Sequence, residues 1–207
     1  MSSYRLNIKF NEKDLKTIYM ANEKVVVIKH TAGAESSQVV WVSFRPFMFN
    51  TIDWENNFAV YSSSSEIQGG AVINKLSDKE AATKIRYDFE DGYFRNAVPA
   101  NDLGNNTYAI RNQMTGYDAL TFGLAQSVVV NGIAFANHPI NAVSVPFGQS
   151  ADMTPIEKID IYLRGDINDG TIVSHVMSVS LPVEYEGMDT EHTVAYDGLI
   201  GKFYPVK

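Results

Sequence analysis

The sequence predicts an all-β protein: an antiparallel β-sandwich, or a distorted barrel, with one short N-terminal helix. Three observations carry that expectation. Apolar residues recur in short runs with period two, as at Tyr4, Leu6, Ile8 and Phe10. Asp-Gly or Asn-Gly stands between such runs at Asp91-Gly92, Asn131-Gly132 and Asp169-Gly170. No Gly-rich turn leads from a strand into a helix, so a phosphate-binding βαβ unit is not expected.

The elements follow from the same patterns. Ser3 to Phe10 alternates apolar residues with Arg5, Asn7 and Lys9, the mark of a half-buried strand. Asn11 is placed to cap a helix, with Glu12 and Asp14 near the positive end of its dipole. Leu15, Ile18 and Tyr19 form its apolar face, and it ends near Asn22. Val25 to Ile28 is a β-branched run that reads as a buried strand, and Thr31 to Ser37 reads as a loop. Val39 to Phe49 is strongly apolar, but Pro46 stops the strand there. A further strand starts at Phe58, and Ser77 to Glu80 has the form of a capping box opening a helical turn.

Ile85 to Phe89 alternates and turns at Asp91-Gly92, and Asn96 to Gly116 is turn-rich around a short strand at Tyr108. Ser127 to Val130, Asn131-Gly132 and Ile133 to Phe135 spell a type I′ hairpin. Ile156 to Leu163 alternates, and Asp169-Gly170 turns it into one long strand from Thr171 to Val183. About ten to twelve strands are expected in all. No composition break or repeat divides the chain, so residues 1–207 are read as one domain.

Composition excludes several functions. Asp and Glu total 24 against 17 Lys and Arg, a formal charge of −7, which disfavours nucleic acid and anionic lipid as general partners. There is no cysteine, so thiolate catalysis, thiolate metal sites and disulfides are absent. His30, His138, His175 and His192 show none of the close spacings that hold a metal, and no cofactor is expected. Asp166 to Gly170 misses the calcium-loop spacing and reads as a turn. Asp88 and Glu90 share a strand face near Arg86, and the pattern favours a solvated face over an acid–base pair. The first residues carry no apolar leader and no stretch is long enough to span a bilayer, so the expected location is the cytoplasm, or release without a cleaved signal peptide.

Aromatic residues are the unusual feature: 11 Tyr, 11 Phe and 2 Trp. Trp41 belongs to a strand and should build the core. Phe47-Met48-Phe49 follows Pro46 where the strand pattern fails, and three consecutive apolar residues cannot all point inward. They either fold back as a plug or face outward as a contact surface. Asn50, Asp53, Trp54, Asn56 and Asn57 add the ring-and-amide mixture of a sugar-binding surface. The sequence therefore reads as a non-enzymatic binding module, lectin-like or toxin-like. Phe47, Phe49, Asn50, Asp53, Trp54 and Asn57 would contact a glycan, a lipid headgroup or a protein. The alternatives are a small-molecule enzyme with a dispersed site, drawing on Arg86, Asp88 and His175, and a self-assembling homo-oligomer whose long strand pairs at its edge.

Overall fold

A computed structural model describes residues 3–33, 35–173 and 179–206. Among these, seventeen strands and one helix follow the chain. They begin with β1 (Ser3–Lys9), α1 (Glu12–Met20), β2 (Glu23–Gly33), β3 (Ser37–Phe44), β4 (Phe49–Glu55) and β5 (Phe58–Ser63). Next come β6 (Lys75–Ala81), β7 (Ile85–Glu90), β8 (Tyr93–Pro99), β9 (Tyr108–Asn112), β10 (Ala119–Val130) and β11 (Ile133–Pro139). The rest are β12 (Asn141–Pro146), β13 (Ser150–Gly165), β14 (Ile172–Val173), β15 (Leu181–Glu184), β16 (Glu191–Asp197) and β17 (Lys202–Pro205).

The all-β expectation and the single short helix hold. Asn11 caps α1 as read, its side chain accepting from the Asp14 amide at 2.8 Å. The strands form two facing layers joined at one corner. In the first, β1 pairs with β16 and with β4, β16 pairs with β17, and β4 and β5 run in tandem along one edge of β10. β11 and β12 take the other edge of β10, and β6 lies on β5. In the second, β13 pairs with β2, β9 and β15, β2 with β3, and β7 with β8 and β9. The corner is β3, whose first residues leave β2 and pair with β12 and β14.

The core lies between the layers. Leu6, Ile8, Ile52, Phe122 and Leu124 from the first meet Val25, Val27, Phe89, Ile110, Ile159 and Ile161 from the second. Trp41 is there as expected, edge-on to Trp54 with centroids 5.5 Å apart and donating Nε1–H to the Gln126 carbonyl. Burying rings of this size contributes much of the stabilisation.

Several expectations need correction. The sheet is mixed, because β1–β16 and β7–β9 are parallel, and it does not close into a barrel. Ser77 to Glu80 lies in β6: the ladder with β5 outweighs the capping-box signal. β2 continues to Gly33 because β13 offers it a partner over its whole length. Asn50 to Trp54 is strand, not loop, being paired to β1. The single strand from Thr171 to Val183 is not formed, since β14 ends at Val173 and a turn stands at Val179. Its middle, with His175 and Val176, lies outside the described residues.

Candidate functional site

Registers bring several loops to one end of the first layer. β1 and β16 are parallel, with Lys9 opposite Ala195, so their C-terminal ends coincide. β4 runs against β1, so its first residue Phe49 lies there too, opposite Lys9. β10 runs against β4 and turns at Asn131-Gly132 beside it. Three loops thus emerge together: 45–48, 131–132 and 198–201. Gly198 donates to Asp14 of α1, and Tyr19 Oη donates to the Pro46 carbonyl at 2.5 Å, which ties the helix to this end.

The end is apolar. Phe47 is 60% exposed and Phe49 69%, with Met48, Ile133, Leu199, Ile200 and Met20 also exposed. The rings are held outward, and the plug is not formed. Asn50, 3% exposed, points inward from β4 as Ile52 and Trp54 do. Its Oδ1 accepts from the Phe47 amide at 2.8 Å and from Asn131 Nδ2 at 3.2 Å. Its Nδ2 donates to the Phe47 carbonyl at 2.8 Å and to the Ile8 carbonyl at 3.4 Å. The amide thereby makes the four hydrogen bonds it can make, and none is left for a ligand. Asn131 Oδ1 accepts from Thr51, and the Met48 carbonyl accepts from Phe10. The Arg45 guanidinium lies 4.0 Å from the Tyr19 ring centroid, closing the other side of the loop. Asn50 is therefore a positioning residue, whereas Phe47 and Phe49 are free to make contact.

Asp53, Trp54 and Asn57 stand elsewhere. β4 carries Asp53 and Trp54 about 13–17 Å along from Phe49, and Asn57 follows two residues past the end of that strand at Glu55. There they line a cleft of about 620 Å³ with Glu55, Asn56, Phe58, Tyr108 and Phe135. Trp54 is 3% exposed. Tyr4 stacks on it at 5.6 Å and the edges of Trp41 and Tyr185 meet it, so its ring belongs to the core rather than to a sugar platform. Asp53 is held by Arg5 at 2.6 Å.

Sequence reasoning missed a second constellation. Lys29, 1% exposed, points from β2 into the core. Its Nζ lies 5.4–5.5 Å from the centroids of Trp41, Trp54 and Phe58 and 2.9 Å from Glu157 Oε2. A bulge delivers the carboxylate: Ile156 pairs with His30 and Ile159 with Lys29, so Glu157 and Lys158 stand unopposed on the β2 side. Burial lowers the Lys29 ammonium to about 8, partly offset by Glu157. Burial, and then the Tyr87 and Glu157 charges, push Tyr108 up to about 12, and burial, followed by the Glu157 and Asp189 charges, pushes Tyr185 higher. A lysine directly after the run Val25 to Ile28, and the three-residue gap between Ile156 and Ile159, were the available signals.

The remaining polar candidates are occupied in structural roles. Asp88 is buried and takes a bidentate pair from Arg111 at 2.8 and 2.7 Å, while Glu90 is exposed. Asp169 accepts from the Ser43 amide and hydroxyl, as a turn residue would. Among the described residues no helix is long and apolar enough to cross a membrane. Comparisons with protein-family models, with curated proteins and with solved structures find no match to this chain.

Proposed function

We propose that this protein is a binding module that engages a zwitterionic lipid surface through its apolar end. The observation that carries the reading is the clamp at Asn50: a buried amide fixes the 45–48 loop so that Phe47, Met48 and Phe49 stand in solvent. Apolar side chains left exposed on a rigid support mark a contact surface. The end is made of the three loops 45–48, 131–132 and 198–201, which carry or flank exposed apolar side chains that can enter the headgroup region. Lys9 lies between Phe49 and Ala195, with Tyr204 beyond Ala195, in one cross-strand row, where a long stem can reach outward as the rings sink. The formal charge of −7 argues for apolar insertion rather than attraction to anionic headgroups. Phe47, Met48 and Phe49, roughly half exposed at present, would together contribute ~3 kcal/mol on burial, and Leu199 and Ile200 ~2 more.

The test is flotation with phosphatidylcholine vesicles. The protein is expected to float with them and to keep doing so in 0.5 M salt. Phe47→Ala/Phe49→Ala should stay with the soluble fraction while melting within a degree or two of the parent. Four results would overturn the reading: no flotation, equal flotation of the double variant, a concentration-dependent mass that those two changes abolish, or binding to a glycan panel that is lost in the same variant. The third would assign the end to a second copy of the chain and the fourth to sugar.

A further inference from the structure

Asn131-Gly132 is the one Asn-Gly step in the chain, and it forms the turn between β10 and β11. Its asparagine is the outer member of the clamp. Oδ1 accepts from the Thr51 amide at 2.9 Å, and Nδ2 donates to Asn50 Oδ1 at 3.2 Å. Gly132 is exposed, and a Cβ built there would meet open space. Asparagine is a thermolabile residue, and a glycine after it leaves the next main-chain nitrogen least hindered.

The bonds show what loss of that amide would do. The turn itself tolerates a carboxylate: Asp91-Gly92 holds the same conformation, with φ of 50° and 84° against 51° and 81°. The Thr51 amide would keep its acceptor. Asn50 would lose its donor. A carboxylate oxygen would face its Oδ1, acceptor against acceptor, beside a side chain only 3% exposed. Rotating the Asn50 amide by half a turn answers the carboxylate but breaks the other three bonds. It sets N–H against the Phe47 N–H, and oxygen against the Phe47 and Ile8 carbonyls.

We propose that Asn131 is a hydrolytic modification site whose conversion releases the 45–48 loop and so switches off the apolar end; the second step rests on the lipid reading above. The Gly132 nitrogen gives up its proton and bonds to the side-chain carbonyl carbon of Asn131, whose C–N bond breaks to release ammonia. Water then opens the cyclic imide at one carbonyl or the other, leaving aspartate or isoaspartate. Ring closure requires the turn to open, so the contact with Asn50 also sets the rate.

The test follows the protein as it ages at 37 °C and pH 8.5. Peptide mapping should show conversion at Asn131 ahead of every other asparagine, and several-fold faster in Asn50→Ala. The converted protein and Asn131→Asp should be cut by chymotrypsin after Phe47 roughly tenfold faster than fresh parent. Both should also lose flotation with phosphatidylcholine vesicles. Asn105→Asp adds the same charge at an exposed turn elsewhere and should match the parent in both assays. The proposal fails if another asparagine converts first, if Asn50→Ala converts no faster, or if cleavage is unchanged in both altered forms. It fails as well if Asn105→Asp behaves like Asn131→Asp, or if faster cleavage leaves flotation undiminished. Cleavage involves no lipid, so faster cleavage with a parent that never floats upholds the modification and overturns the lipid reading alone.

Discussion

Lys29→Met removes the cation from the aromatic cage and leaves Glu157 in the core without its partner. The magnitude can be worked from the structure. The Lys29 side chain is fully buried, and its fall from 10.5 to about 8 corresponds to a net penalty of ~3 kcal/mol for keeping it charged. Methionine abolishes that penalty and packs well against Trp41, Trp54 and Phe58, but it exposes Glu157 to the full cost of an unpaired buried carboxylate. Breaking one side of a buried pair typically costs 3–5 kcal/mol, roughly. Glu157 Oε1 already lacks a partner, and Oε2 would keep only the long donation from Trp54 Nε1 at 3.5 Å. For a chain of 207 residues, that loss lowers the melting temperature by ~10 °C. Lys29→Met/Glu157→Leu removes both charges, and its stability should return to the parent value or exceed it by ~1–4 kcal/mol. Urea unfolding of the parent, both single variants and the double variant gives the coupling energy. The reasoning is refuted if Lys29→Met alone stays within ~0.5 kcal/mol of the parent, or if the double variant is no better than the single.

Stability should also depend on alkaline pH with a definite sign. The unfolded chain keeps Lys29 protonated to about 10.5 while the fold releases it at about 8, so stability climbs across that window and is lower below it. Above ~10 the unfolded chain ionises tyrosines that burial keeps neutral at Tyr61, Tyr108 and Tyr185, so stability then falls. Urea midpoints from pH 7 to 11.5 should pass through a maximum that Lys29→Met/Glu157→Leu flattens on its rising side; a parent profile flat from 7 to 10 counts against the assignment. Asn50→Ala should cost ~2 kcal/mol and open the 45–48 loop to limited proteolysis, read by mass spectrometry of the first fragments. Gly123→Ala should prevent normal folding, because its Cβ would stand 2.2 Å from the Asn141 carbonyl and 2.5 Å from the Tyr61 ring. Soluble protein with parental circular dichroism would refute that packing.

What was legible in the sequence was local. The cap at Asn11, the turns at Asp91-Gly92 and Asn131-Gly132 with both φ angles positive, and the inward Trp41 each follow from a few neighbouring residues. The outward rings at Phe47 and Phe49 were half legible: failure of alternation after Pro46 showed that not all three apolar residues could be buried. The amide that decides between plug and surface is held by Asn131, eighty-one positions away, and a one-dimensional pattern does not carry that partner. Trp54 was misplaced for the same reason. Asn50, Asp53 and Asn57 resemble turn composition, yet β1 pairs with this segment and imposes alternation on it. Lys29 and Glu157, 128 positions apart, meet only because a bulge in β13 rotates a carboxylate off its expected face.

The clamp at Asn50 also bears on why the apolar end should be functional rather than incidental. The position alternates inward with Ile52 and Trp54, and valine there would satisfy the core without any buried polar group. Valine would also release the 45–48 loop, whose rings could then fold back against the sheet and gain apolar contact. The chain instead places an amide in its interior and directs all four of its hydrogen bonds to fixing a conformation with two phenylalanines in water. Both choices oppose stability considered alone, by ~1–3 kcal/mol for the exposed rings. An arrangement that costs the isolated fold free energy is expected where a partner returns it. On that argument Asn50→Val should weaken vesicle flotation while costing less stability than Asn50→Ala, because it refills the apolar face but deletes the same four hydrogen bonds. A Val variant that floats like the parent would show that the clamp serves nothing outside the molecule.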